Sequence, residues 1–162
     1  LAAVSLADLH IAPARGPADL AVVAALFRRY AAALPVDLGY QDFEAELAGL
    51  PGKYAAPEGE ILLARNAGAA PLGCVALRPL DAQACEMKRL YLAPEARGLG
   101  LGRTLTLAVV EAARERGYRQ LRLDTLPTMD AAIGLYERLG FRRTPPYYAP
   151  TPPGTIFMAL DL

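Results

Sequence analysis

The run from Cys85 to Thr125 constrains the fold of this chain more than any other. Cys85 to Leu92 is apolar and strand-like, Arg97-Gly98-Leu99-Gly100-Leu101-Gly102-Arg103 follows, and Thr104 to Arg116 carries an amphipathic helical pattern. Gly117 stands where a helix C-cap glycine is expected, and Leu121 to Thr125 alternates as a strand does. Strand, long helix, strand is a right-handed crossover that sets its two strands parallel in one sheet. The join between the first strand and the helix is also chemically distinctive. Three alternating glycines remove Cβ atoms, so backbone N–H groups can approach a ligand closely. The first N–H groups of a helix lack intrahelical partners, and the helix dipole favours negative charge there. The turn therefore reads as a phosphate cradle, with Arg97 and Arg103 adding positive charge.

The flanking chain decides what sheet this crossover joins. Leu9 to Ala14 reads as a short strand closed by Arg15-Gly16-Pro17, and Asp19 to Leu34 as a helix stopped by Pro35. A second, shorter helix is predicted from Gln41 to Leu50, ended by Pro51-Gly52. Strands are predicted at Glu60–Arg65, Leu72–Leu77 and Ala84–Leu92, with turns short enough for an antiparallel meander. After the crossover come a helix from Met129 to Leu139, closed by Gly140, and two strands, Phe141–Thr144 and Thr155–Leu160. The proline-rich loop Pro145 to Pro153 separates those strands. The order is β-α-α-β-β-β-α-β-α-β-β, a mixed α/β sheet in a single domain over residues 1–162.

A hydrophobic share of 54% with 21% charged residues suits a globular core and excludes a disordered chain. A net charge of zero gives no global field for nucleic acid or a membrane surface. The charges are nonetheless segregated: the charged residues from Asp37 to Glu60 are acidic apart from Lys53, whereas Arg97 to Arg122 holds six arginines against Glu111 and Glu115, which suits an anionic ligand at the glycine turn. No apolar run is long enough to span a bilayer, and no signal peptide is seen. Cys74 and Cys85 read as reduced thiols of a cytoplasmic protein, and His10 with no Cys/His spacing supports no metal site.

Three readings of the glycine turn compete. A connector without a ligand does not account for the chain entropy that three glycines cost. A dinucleotide site would use Gly100 and Gly102 of a G-x-G-x-x-G motif with Asp124 as the ribose acid. However, Leu105 replaces the third glycine, Ala93 to Arg97 separate strand from turn, and the unit follows a meander. No Gly-Lys-Ser/Thr follows, which removes a Walker loop. The third reading is a resemblance. Arg97 to Gly102 is similar to Arg/Gln-x-x-Gly-x-Gly/Ala, the acetyl-CoA pyrophosphate loop of the GNAT superfamily of N-acetyltransferases. Lys88 to Pro94 resembles the strand and exit before that loop. Leu135-Tyr136-Glu137-Arg138-Leu139-Gly140-Phe141 resembles the second hallmark, a helix ending in Tyr-x-x-x-Gly-Phe. The element order is the GNAT order as well, so the resemblance covers nearly the whole chain.

This resemblance implies an acyl-CoA N-acyltransferase fold with a splayed central strand pair. It implies acetyl transfer from acetyl-CoA, without a metal, to a primary amine of a small molecule or peptide. It places the cofactor on the backbone of Leu90 and Leu92 and on Arg97, Gly98, Leu99, Gly100, Gly102, Arg103 and Thr104. It makes Tyr136 the acid that protonates the CoA sulfur, a role open to a phenol of pKa ~10. Glu86 is the expected base. Strand alternation puts Glu86, Lys88, Leu90 and Leu92 on one face, and a carboxylate inside a buried strand is costly unless paired or used. The alternatives are a packing tyrosine, a Glu86 paired with Lys88 or an arginine, and Asp124 as base. Family members often carry asparagine seven residues before the tyrosine, where this chain has Met129. The acceptor is expected across the sheet, against a wall made acidic by Asp37, Asp42, Glu44 and Glu46 and lined by Tyr40, Tyr147 and Tyr148, which suits a cationic amine. The competing reading is a catalytically silent acyl-CoA sensor module of the same fold. A homodimer through an edge strand or a helix face is compatible with either.

Overall fold

In the computed structural model, which describes residues 8–162, the crossover lies in the middle of a seven-stranded sheet. The elements are β1 (His10–Pro13), α1 (Gly16–Ala33), α2 (Phe43–Ala48), β2 (Glu60–Arg65), β3 (Pro71–Pro79), β4 (Ala84–Leu92), α3 (Leu101–Glu115), β5 (Gln120–Thr125), α4 (Asp130–Arg138), β6 (Arg142–Arg143) and β7 (Ile156–Asp161). The sheet order is β1-β2-β3-β4-β5-β7-β6, and only β4 and β5 run parallel. This is the mixed sheet that the sequence pattern predicts.

Period-two alternation divides the strands between two cores. Leu62, Val75, Leu77, Cys85 and Met87 meet Leu105, Val109 and Tyr136 of α3 and α4 on one face. Leu63, Cys74, Ala76 and Tyr91 meet Val23, Phe27, Phe43 and Leu47 of α1 and α2 on the other. Cys74 and Cys85 are free, buried and on opposite faces. Burial pushes both thiols up to about 12, so they act as small apolar side chains.

Three departures from the sequence reading matter for the site. The predicted helix Gln41–Leu50 is broken. A 3₁₀ turn, Leu38–Gln41, precedes α2, and Asp42 between them adopts φ 57°. The break points Gln41 inward, as described below. Secondly, α3 starts at Leu101, inside the glycine turn, so Gly102 and Arg103 belong to its first turn. Thirdly, the strand predicted at Phe141–Thr144 contracts to the two residues of β6.

The decisive feature is a register change in β4. Lys88 pairs with Ala76, but Tyr91 pairs with Cys74, so three steps along β4 match two along β3. Arg89, at φ 61°, sits in this bulge. The alternation assumed from the sequence therefore fails. Glu86 and Lys88 pair with Arg78 and Ala76 on the α1/α2 side, while Leu90 and Leu92 pack with the α3/α4 core. The bulge lets Lys88 and Arg89, adjacent in sequence, both reach the α1/α2 side.

Candidate active site

β4 and β5 pair only over Ala84–Glu86 and Gln120–Arg122. Beyond that, β4 continues to Leu92 paired with β3 alone, and β5 continues to Thr125 paired with β7 alone. The two strands diverge into a cleft lined by Lys88, Leu90, Asp124, Met129 and Tyr136, with Tyr40 and Gln41 from the far wall. The Ala93 N–H donates to the Leu72 carbonyl at 2.8 Å on the closed side. Alternation then turns the peptide groups of Leu92 and Leu90 toward the open edge.

At the mouth of the splay, the chain passes through the 3₁₀ turn Pro94–Ala96 into the glycine turn. Gly98 and Gly100 adopt φ 77° and 84°, a region that a Cβ disfavours. The Thr104 N–H, 3.1 Å from the Gly100 carbonyl, is the first with an α-helical partner; those of Leu101, Gly102 and Arg103 are the orphan donors of α3. Arg97 donates through Nε to the Leu92 carbonyl at 3.2 Å and lies over the Tyr91 ring, 5.9 Å from its centroid. The guanidinium thus ties the turn to the strand edge. Leu99 and Arg103 are exposed, and the Thr104 hydroxyl bonds back to the Gly100 carbonyl. This is a cradle of backbone donors, with its positive charge at the rim.

Tyr136 enters the cleft from α4, and the end of that helix explains its position. Gly140 adopts φ 97°, the Phe141 N–H donates to the Tyr136 carbonyl at 3.0 Å, and the Gly140 N–H donates to that of Glu137 at 3.1 Å. This is a Schellman cap, completed by the contact between Phe141 and Tyr136, whose ring centroids are 5.6 Å apart. The Tyr-x-x-x-Gly-Phe spacing is the chemistry of that cap. Burial raises the Tyr136 phenol well above its ordinary value, so it stays protonated at neutral pH. Met129 lines the cleft where an asparagine is expected and offers no amide.

The α1/α2 side of the cleft is a network of side chains. Glu86 has no exposed surface. It accepts from Arg78 Nε at 2.8 Å and from the Tyr147 hydroxyl at 2.5 Å, with Lys88 Nζ at 3.8 Å. It is not among the residues that line the cleft with Tyr136, whereas Asp124 is. Asp124 accepts a hydrogen bond from the Tyr148 hydroxyl. Gln41 Nε2 donates to Tyr148 at 3.1 Å and to Tyr40 at 3.0 Å, and Gln41 Oε1 accepts from Lys88 at 3.0 Å and Arg89 at 2.8 Å. Burial lowers the Lys88 pKa, and the nearby Glu86 partly restores it.

The acidic wall read from the sequence is neutralised at Glu46, the member that reaches the network. Glu46 is bidentate with Arg89 at 2.9 Å, and that guanidinium lies between the rings of Tyr30 and Phe43. Asp37 caps the Gly39 N–H, and Glu44 lies 3.6 Å from Arg28. Sequence reasoning named Tyr40, Tyr147 and Tyr148 but missed Gln41, Arg78 and Arg89. Gln41 stands at the break in the predicted helix, and Arg89 at the bulge. The left-handed residues at the two irregularities, Asp42 and Arg89, are not glycines. Among the described residues no cluster of His, Cys, Asp and Glu could hold a metal, and no helix is long and apolar enough to cross a membrane.

Comparison with known proteins agrees with this geometry. Residues 23–141 match the model of the acetyltransferase (GNAT) family. The chain is 38% identical to an uncharacterized N-acetyltransferase of Schizosaccharomyces pombe, over 96% of both chains. It is 33% identical to another from Escherichia coli K12, over 76% of each. Among solved structures it resembles a putative acyl-CoA N-acyltransferase of Klebsiella pneumoniae, with a TM-score of 0.71 and 28% identity over 95% of this chain and 97% of that one. A Streptococcus agalactiae acetyltransferase, 20% identical over 96% and 99% of the two chains, shares the fold with a TM-score of 0.76.

Proposed function

The chain belongs to the GNAT acetyltransferase family, and from that premise we propose how its residues carry an acetyl group from acetyl-CoA to a primary amine. The observation that carries this reading is the alignment of three features along one splay: the cradle of backbone donors, the open edge of β4 and the Tyr136 phenol. Orphan N–H groups on a helix start suit a pyrophosphate, so the turn fits the cofactor. Gly98, Leu99, Gly100, Gly102, Arg103 and Thr104 would hold the pyrophosphate, with Arg97 at the rim. The peptide groups of Leu90 and Leu92 would hold the pantetheine arm by adding a strand-like partner to the open edge. Acetyl-CoA, when bound, supplies an acetyl group activated as a thioester.

The chain's own groups then orient and move protons. The Leu92 N–H, turned into the splay, donates to the carbonyl oxygen as it gains charge. Tyr136 holds a proton at its hydroxyl for the departing sulfur. Asp124, in the cleft, takes the proton that leaves the amine. We assign Glu86 to positioning rather than to the base, because Arg78, Tyr147 and Lys88 already surround it. The whole operates as one domain over residues 1–162, on a small-molecule or peptide amine.

Thiol release from acetyl-CoA with a panel of primary amines tests this. The wild type releases thiol with at least one amine, and Tyr136→Phe lowers kcat by about 10²-fold with an unchanged KM for acetyl-CoA. Saturable CoA binding with no turnover of any amine would establish the silent sensor module instead. Full activity of Tyr136→Phe would remove the tyrosine from the chemistry.

A further inference from the structure

On the acetyl-transfer reading above, we propose that Tyr148 is a further catalytic residue, which relays a proton from the acceptor amine to Asp124. Tyr148 belongs to the loop between β6 and β7, and its hydroxyl is bonded to two residues that line the cleft, Gln41 and Asp124. Its ring packs edge-on against Phe157, 5.4 Å between centroids at 78°, and against Tyr147. Its hydroxyl donates to Asp124 Oδ2. The orientation of the remaining partner is fixed as well. Lys88 and Arg89 can only donate, so they hold Gln41 by its oxygen and turn its amide nitrogen toward Tyr148. Gln41 takes one lone pair of the phenol oxygen, and the relay assigns the second to an amine N–H.

The step balances in protons and electrons. The N–H bond of the ammonium breaks and its proton bonds to Tyr148 Oη. The proton already on Tyr148 passes to Asp124 Oδ2, which becomes a carboxylic acid. The amine keeps the electron pair that it needs for attack. Burial, and then the Asp124 charge, raise the Tyr148 phenol above its ordinary value, so it holds its own proton until the amine delivers another. The groups that face this pair are Tyr40 from the 3₁₀ turn, Glu86, Lys88 and Arg89 from β4, Tyr30 from α1, Tyr136 from α4 and the adjacent Tyr147. Tyr147 provides a control. It packs on the same Phe157 and donates to a carboxylate, but that carboxylate is Glu86, which does not line the cleft.

The test is the pH profile of kcat for wild type, Tyr148→Phe, Asp124→Asn and Tyr147→Phe. The acceptors are glycinamide, with an α-amino pKa of about 8, and Nα-acetyl-lysine amide, at about 10.4. Without the relay only the free amine reacts. Near pH 7 Tyr148→Phe is therefore expected to lose about tenfold in kcat with glycinamide and about 10³-fold with Nα-acetyl-lysine amide. The deficit shrinks as the pH approaches each amine's own pKa, so it closes earlier for glycinamide. Asp124→Asn shows the same shape, Tyr147→Phe does not, and the KM for acetyl-CoA is unmoved in Tyr148→Phe. A deficit of equal size at every pH, no deficit, or the same profile in Tyr147→Phe overturns the relay. Wild-type protein that turns over neither these amines nor any of the panel overturns the transfer reading and the relay together. Wild-type turnover with an unaltered Tyr148→Phe profile overturns the relay alone.

Discussion

The two ends of the splay are built on opposite principles. At the donor end, Arg97 to Thr104 form one contiguous, largely exposed segment whose working groups are backbone amides. At the acceptor end, Gln41, Arg78, Glu86, Lys88, Asp124 and Tyr148 come from five separate parts of the chain and work through side chains, several of them buried. A backbone device depends on glycine and on where a helix starts, so it tolerates variation in its side chains. A side-chain network depends on every member having its partner, because an unpaired polar group inside a protein is costly. On the proposed reading, the donor end is therefore built to tolerate side-chain change and the acceptor end is not.

The largest expected effect follows from that difference. Glu86→Ala removes the acceptor of Arg78 and Tyr147 and the counter-charge of Lys88, whose side chain is only 6% exposed. Breaking a buried ionic cluster by deleting one partner costs about 3–5 kcal/mol. A comparable deletion at the donor rim, Arg97→Ala, costs less than about 0.5 kcal/mol, because the surface it leaves is wet. Thermal unfolding of the two variants measures the contrast directly. Equal shifts in Tm would mean that the acceptor network carries no more of the stability than the rim does.

The same contrast explains what could be read from the sequence. The crossover, the meander and the glycine turn all leave local marks: a change of period, a turn residue, a C-cap glycine. The Tyr-x-x-x-Gly-Phe run was legible for the same reason, since it encodes a Schellman cap within six residues. What was lost had no local signature. Arg89 takes a left-handed conformation without being glycine, and the bulge it makes reverses the facing of Leu90 and Leu92. A strict alternation through Glu86, Lys88, Leu90 and Leu92 cannot see that insertion, because it is the pairing with β3 that registers it. Likewise, four acidic residues around α2 look like a uniform charged wall until tertiary structure gives Glu46 to Arg89. The pairing of distant side chains is decided by the fold, and the residues alone do not announce it.

The donor end can be examined more finely, since its glycines do different work. Gly98 adopts φ 77°, and a Cβ built there would meet nothing within 4 Å. Its requirement is therefore conformational. Gly98→Ala is expected to destabilise the fold by about 1–2 kcal/mol, the cost of a left-handed L-residue, or to let the turn relax and weaken CoA binding instead. Chemical denaturation and calorimetric CoA binding together capture both routes. A variant with wild-type stability and wild-type affinity would show that the left-handed turn is dispensable.

Gly102 inverts the pattern, and it gives the smallest effect on stability. It lies in the first turn of α3, where its φ is not left-handed. A Cβ there would sit 3.5 Å from Leu92 Cδ1 and 3.6 Å from Leu135 Cδ2, ordinary contact distances. Alanine in a helix is favoured over glycine by roughly 0.5–1 kcal/mol, so Gly102→Ala should leave the protein as stable as before or slightly more so. Yet the added methyl adds bulk in the first turn of α3, the turn that the proposed reading gives to a pyrophosphate. Affinity for CoA is expected to fall while the melting temperature holds or rises. That separation is the signature of a residue kept for a ligand rather than for the fold. If affinity and stability rise together, Gly102 is merely a weak point in the helix, and the cradle is formed by Gly98 and Gly100 without it.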